Sequence, residues 1–362
     1  MTFLVSAFYF FYFAIIGVYV IFMPKVLAMS GYEPSEIGIV FAAAPLVRFA
    51  VPFAFIRGLK LTRSVFNAAL VLMTVSAFAF FPALPHFWWL LFTNIALGVG
   101  LSLILPFIEV IVLEQIGRER YGKVRLFGSV GFIVVALVLV KFLDGAGTAI
   151  AFLSFTTVVT ALFGYLIARH DHHRNPPPAS AEAVRHFSLL AHPGFWAGVL
   201  LMQMSFGPFY NFFTIYETAH GIGMDMTIYL WSFGVIAEIV LFYFQGPLLR
   251  RNLHRLLEFA ALVTALRWAV VWLVPENLLL LFASQSLHAI SFALFHTAAI
   301  SYLYTLYAEK KLAQQFFFGI SYGLGGFLGA VGSGYVYQYW PNALFLSAAV
   351  VALLSFAALR RG

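Results

Sequence analysis

Cysteine is absent from the 362 residues and charge is scarce, at 10% Asp, Glu, Lys and Arg. The first absence removes disulfides and thiolate metal sites. The second is far below the roughly 25% that soluble domains carry. No Gly-rich phosphate loop, nucleophile elbow or metal-ligand spacing occurs, so catalysis has no candidate residues and no cofactor is expected. The start, MTFLVSAFYFFYFAIIGVYVIFMPK, lacks a basic n-region and is too long for a signal h-region; it reads as a retained first span.

What remains is apolar. Hydrophobic residues make up 62% of the chain, 18% is aromatic with 42 Phe and 17 Tyr, and the mean hydropathy is +0.94. These values belong to polytopic membrane proteins, with the lipid bilayer as first partner. Runs of about 20 apolar residues can cross the hydrocarbon core. Twelve are predicted, at about 4–28, 35–57, 64–84, 87–115, 122–143, 147–168, 193–219, 226–249, 255–274, 277–307, 313–338 and 341–359.

The formal net charge of +7 is no nucleic-acid signal, because of where the basic residues lie. Alternate connections hold nearly all of them, as in Arg57, Lys60 and Arg63, or Arg250, Arg251 and Arg255. The other side has only Lys25 and Lys141, while Arg48 and Arg267 lie within spans. The positive-inside rule therefore predicts cytosolic N- and C-termini, and a bacterial-type inner (plasma) membrane is the expected location.

One polar, Pro-rich stretch interrupts the pattern, RHDHHRNPPPASAEAVRHFSLLAH at 169–192. Its His170, His172, His173 and His186 have no matching ligand cluster elsewhere, so a solvated linker is expected rather than a metal site. The linker divides the chain into a six-helix bundle over 1–168 and a second over 193–362. The halves echo each other weakly: RFAVPFAFIRGLKLTR (48–63) and EIVLFYFQGPLLRRNLHR (238–255) each run from a mid-helix charge to a basic turn. Gly128 and Gly131 in span five, and the glycines of span eleven, permit close helix approach. Such repetition is what a two-repeat transporter requires.

The functional expectation rests on ionisable residues inside the apolar runs. Each costs roughly 2.5–3.5 kcal/mol at a helix centre even on the mild insertion scale, and such residues face interiors or water-filled cavities. Glu109 and Arg125 flank the turn between spans four and five. Arg48, Glu238, Arg267 and His288 fall near mid-bilayer, and His296 lies nearer the cytosol. Buried ion pairs rarely outdo apolar packing, so opposite charges on several spans suit a polar cavity better than a bundle's stability. For each residue alone, a salt bridge or a hydrogen-bonded helix contact is the competing reading, and Arg125 can snorkel to the surface.

Twelve spans in two sixes resemble the major facilitator superfamily, which implies substrate binding near the midplane between the halves. YGKVRLFGSVGF (121–132), PFIE (106–109), YNFFTIY (210–216), AEIVLF (237–242), ALRWAV (265–270), LHAISFALFH (287–296) and GYVYQYW (334–340) are similar, in order, to spans of its 3-phenylpropionate permease and lactose permease branch. The resemblance implies that Glu109 and Arg125 are a substrate-recognising acid–Arg pair. It implies that Glu238, Arg267 and His288 link substrate binding to proton movement. Three departures count against lactose: Ser291 replaces a second acid after the His, neutral Gln203 and Tyr322 fall near an Asp–Lys pair, and the loop at 56–63 lacks the gating Asp. Arg48 and His296 fit the phenylpropionate type better.

The expected activity is proton-coupled symport of a small organic substrate, an aromatic or other organic acid, by a monomer working through alternating access. Substrate binding is assigned to Glu109, Arg125, Arg48, Tyr210 and Trp231, and proton coupling to Glu238, Arg267, His288 and His296. Bidentate Arg geometry suits a carboxylate, and Tyr210, Phe212 and Trp231 offer faces to a flat ring. A sugar or nucleoside symporter, or an uncoupled uniporter or anion exchanger, stands as the alternative. An enzyme would cluster reactive groups at one membrane face, which this chain does not do.

Overall fold

Hydrocarbon offers backbone groups no hydrogen-bond partners, so a spanning segment must satisfy its own. The computed structural model, which describes residues 1–116, 118–170 and 188–361, is accordingly helical throughout its apolar runs. Eleven continuous helices among these residues are long and apolar enough to cross a membrane. They are α1 (Thr2–Met29), α2 (Pro34–Phe55), α3 (Arg63–Ala83), α4 (Phe87–Gln115), α5 (Arg120–Phe142), α6 (Ala146–Arg169), α8 (Met224–Phe244), α9 (Leu253–Leu273), α10 (Leu278–Leu306), α11 (Leu312–Tyr339) and α12 (Pro341–Leu359). Linker residues 171–187, with His172, His173 and His186, lie outside the described residues.

The remaining predicted span, 193–219, consists of two helices end to end, α7a (Pro193–Ser205) and α7b (Gly207–Ala219). The break at Phe206 has a local cause. Pro208 has no N–H to give the Met204 carbonyl, so the ladder stops ahead of it. Span eight ends at Phe244 rather than near 249, because Gly246 and Pro247 follow. Side-chain caps fix several starts: Thr62 Oγ1 accepts from Val65 N at 3.3 Å, and Asn252 and Asn277 cap α9 and α10 at 3.1 Å each.

Three helices contain π-helical stretches: Val18–Phe22 in α1, Ala289–Leu294 in α10 and Phe318–Gly325 in α11. Such wide turns recur at functional sites. Here they sit, like the α7 break, on helices that line the space between the halves.

The chain is thus an all-α membrane protein in two six-helix bundles. The halves meet along α2 and α11 and along α5 and α8. The first seam is close because its residues are small: a methyl group on Gly38 would stand 2.6 Å from the Ala330 carbonyl oxygen. Ser35 N donates to Gln338 Oε1 across it at 3.1 Å. Within the first half, Gly131 lets α5 press against the Phe10 carbonyl of α1. A buried polar clamp joins α1, α4 and α2, with Tyr19 Oη donating to Asn94 Oδ1 at 2.8 Å and Asn94 Nδ2 to Val40 O at 2.5 Å.

The two ends of the bundle differ. At the end away from the termini, the later part of α1 packs on α7b, and Lys25 Nζ donates to Thr218 Oγ1 at 2.9 Å. At the end that carries the termini and the basic connections, α4 and α10 make no comparable contact among the described residues. Among the described residues, α1 and α7b thus join the halves at the opposite end, with no matching contact between α4 and α10 at the basic end.

Candidate functional site

In the second half, three helices contribute one connected group. Arg267 of α9 is fully buried. Its Nη2 donates to Gln285 Oε1 at 2.7 Å, and its Nη1 faces His288 Nδ1 at 2.9 Å and Ser291 Oγ at 3.2 Å, all on α10. The guanidinium also lies over the rings of Phe209 at 4.5 Å and Trp268 at 4.3 Å, which offsets part of its desolvation. A guanidinium can only donate. His288 Nδ1 must therefore accept, which leaves the ring proton on Nε2. That nitrogen stands 3.5 Å from Glu238 Oε2 of α8. His288 consequently separates Arg267 from Glu238, and the direct salt bridge considered from the sequence is replaced by an imidazole bridge.

Gln285 and Ser291 were not singled out as partners in the sequence. Their three-residue spacing about His288 places all three on one helix face, and that was the available signal. The π-helical turn extends the arrangement. Across Ala289–Leu294 the rings of His288 and Phe292 lie parallel, 2° apart at 5.4 Å, and those of Phe292 and His296 lie 15° apart at 6.2 Å. His296 Nδ1 ends this column 2.7 Å from Tyr322 Oη of α11.

In the first half, Arg125 Nε stands 3.9 Å from Glu109 Oε1, and both side chains are about one-third exposed, at 32% and 34%. Tyr121 Oη donates to the same carboxylate oxygen at 3.1 Å. The Arg125 guanidinium rests on the Phe13 ring at 4.0 Å and near Tyr9 at 5.2 Å. Pair, tyrosine and aromatic shelf open into the central space. From there the Arg125 charge acts on Glu238 and His296 of the other half.

Arg48 differs from both other arginines. It is exposed, and it makes no hydrogen bond or ion pair among the described residues. Its charge acts on Tyr12, Tyr19, Tyr210 and Tyr322, which surround the same space from α1, α7b and α11. Tyr210 is half-buried and stacks on Phe206 at 5.6 Å. Trp231 is only 3% exposed; its Nε1 donates to Thr214 Oγ1 at 3.2 Å and its ring packs on Phe209 at 4.1 Å. Trp231 is thus buried beside the seam of α5 and α8, where its ring also meets Phe132 at 6.3 Å. Phe212 is likewise buried, against Tyr337.

One acid in this region was passed over in the sequence. Glu217 of α7b is fully buried and neither carboxyl oxygen has a hydrogen-bond partner. It stands inside an apolar run, so the rule that picked out Glu109 and Glu238 applied to it equally.

Comparison with known proteins accords with this architecture. Residues 3–347 match the MFS_1 like family. A probable 3-phenylpropionic acid transporter of Escherichia coli (strain K12) is 28% identical over 358 residues, 95% of this chain and 93% of that protein. In fold, the chain superposes on the nucleoside transporter NupG with a TM-score of 0.82 at 15% identity, over 99% of both chains. It also superposes on an inward-facing, occupied bacterial homologue of the lysosomal transporter Spinster, with a TM-score of 0.73 at 12% identity over 99% of this chain and 95% of that one. Matched along nearly its whole length, the chain belongs to the MFS_1 like family and is a membrane transporter of the major facilitator type.

Proposed function

We propose that this transporter carries a small organic anion, an aromatic monocarboxylate of the 3-phenylpropionate kind, in symport with protons. The observation that carries the proposal is the free guanidinium of Arg48. Arg267 is engaged by Gln285, His288 and Ser291, and Arg125 is shared between Glu109 and an aromatic shelf. Arg48 alone of the three is exposed with no hydrogen bond or ion pair among the described residues. An unpaired cation at that depth is costly in an empty site, and a bidentate carboxylate relieves the cost. Tyr210, half-buried and stacked on Phe206, offers a flat ring face in the same region. The 28%-identical relative named for 3-phenylpropionic acid supports the same substrate class.

Proton coupling is assigned to Glu238, with Arg267, His288 and His296 as its setting. While Glu238 is ionised, the His288 Nε2–H faces it and the Arg267–His288–Glu238 chain ties α8, α9 and α10 together. Protonation removes the negative end of that chain and frees α8 to move relative to α10. Glu109 and Arg125, nearer the basic end, hold the substrate from the other half. The basic end is taken as cytosolic, which makes the described state inward-open, and the transporter is taken to act as a monomer in the inner membrane.

The test is uptake of labelled 3-phenylpropionate into proteoliposomes under an imposed pH gradient, beside benzoate, a sugar and a nucleoside. Saturable, gradient-driven accumulation of the aryl carboxylates is expected. Accumulation of the sugar or nucleoside alone would overturn the substrate class, and accumulation indifferent to the gradient would overturn symport.

A further inference from the structure

We infer that Glu217 is a second proton-binding group, one that locks the opposite end of the cavity when protonated and releases it when ionised. The inference rests on the two-ended architecture of the transporter and not on the identity of its substrate. Glu217 sits on α7b at the closed seam, one residue before Thr218, which receives the Lys25 hydrogen bond from α1. Its side chain is fully buried and neither carboxyl oxygen has a hydrogen-bond partner among the described residues. An ionised carboxylate without hydrogen bonds or a counter-charge is expensive in such a place, whereas the neutral acid is tolerable.

The surrounding groups do not rescue the anion. On its own helix, Tyr216 is a neutral phenol whose ring faces His220, and His220 Nδ1 faces the Tyr216 carbonyl at 2.8 Å. From α1, the Lys25 ammonium is turned to Thr218, and Tyr19 is tied to Asn94. From α11, Tyr337 is a neutral phenol packed on Phe212. From α8, Asp225 is exposed at the helix start, and a further acid offers no compensation. On α2, Glu36 is held by the Glu33 backbone N–H.

Opening the opposite end separates α1 from α7b and brings water to Glu217, where the carboxylate is stable. Ionisation therefore belongs to the open form and protonation to the closed one. Because the proton enters and leaves from the opposite side, it is not carried across. It reports the acidity of that compartment to the seam, and acid there favours closure. This role is distinct from that of Glu238, which stands in the shared cavity.

The chain has no cysteine, so Met29→Cys and Gly223→Cys place a spin-label pair across the seam without other changes. Both positions are exposed, and Gly223 has open space around it. Distances are read by pulsed electron resonance in lipid nanodiscs from acidic to alkaline pH. In the otherwise native protein the open-to-closed ratio should rise with pH, by up to about tenfold per unit for one linked proton. In Glu217→Gln the closed distance should persist at alkaline pH. Glu217→Met, also neutral and of similar length, provides the same reading should the amide fold poorly. A native ratio that does not change with pH overturns the inference, and so does unaltered pH dependence in both neutral variants. Neither result depends on substrate or on uphill transport.

Discussion

Arg267 reaches Glu238 only through His288. The guanidinium Nη1 lies 2.9 Å from His288 Nδ1, and His288 Nε2 lies 3.5 Å from the Glu238 carboxylate. Because Arg267 has no acceptor to offer, it sets the imidazole tautomer and aims the ring proton at the acid. A positive charge is thereby held near Glu238 without neutralising it directly, which leaves the carboxylate free to exchange a proton.

Glu238→Gln should abolish uphill accumulation in vesicles while preserving substrate exchange at equal pH. The amide fills the same space but cannot ionise. Acid on the opposite side should drive accumulation in the native protein, since symport moves protons and substrate together. If Glu238→Gln still concentrates substrate against its gradient, another group carries the proton.

Arg267→Ala should be mainly a stability defect. It strands Gln285 Oε1 and His288 Nδ1 in a dry interior and empties the space under Trp268. Breaking buried charged contacts of this sort costs about 3–5 kcal/mol. A clear fall in the thermal unfolding midpoint of purified protein is the expected readout, larger than for any substitution of exposed Arg48.

Arg48→Gln should weaken binding of an aryl carboxylate by about 10–100-fold, the value of one charge-assisted hydrogen-bonded contact at about 1.5–3 kcal/mol. Thermal stability should hardly change, because Arg48 is exposed and makes no hydrogen bond or ion pair among the described residues. Thermal-shift titration with 3-phenylpropionate separates the two, since ligand stabilisation follows mass action. Unchanged ligand stabilisation in Arg48→Gln would assign the carboxylate elsewhere.

Arg125→Lys keeps the charge but removes the planar fork that faces Glu109 and lies on Phe13. Uptake should fall in this variant and in Glu109→Gln. If both retain native uptake kinetics, the pair is a structural strut.

A cytosol-only reporter fused after Gly362 should be active, and one inserted between Pro275 and Asn277 should be silent. The reverse pattern would exchange the two ends of the cavity.

Hydropathy and the placement of Lys and Arg determined a great deal by themselves. Apolar runs marked the spans, because each must hide its own backbone in lipid, and the alternation of basic connections ordered them. The scarcity of ionisable residues within the runs made Glu109, Arg125, Glu238, Arg267 and His288 conspicuous before any contact was known. Local chemistry was also present but underused: Gly207–Pro208 marked the break in α7, and Gly246–Pro247 the early end of α8.

Only the tertiary structure decided which of these groups meet. Depth along a helix can be counted in residues, but a partner on another helix depends on rotation about both axes, and the π-helical turns of α1, α10 and α11 alter that rotation locally. His288 thus stands between Arg267 and Glu238 although all three read as equals by depth, and Trp231 is buried among Phe209, Thr214 and Phe132. Arg48 and Glu217 make the contrast plainest. Both are charged residues in apolar runs, yet packing leaves one guanidinium exposed and seals one carboxyl away without a hydrogen-bond partner among the described residues.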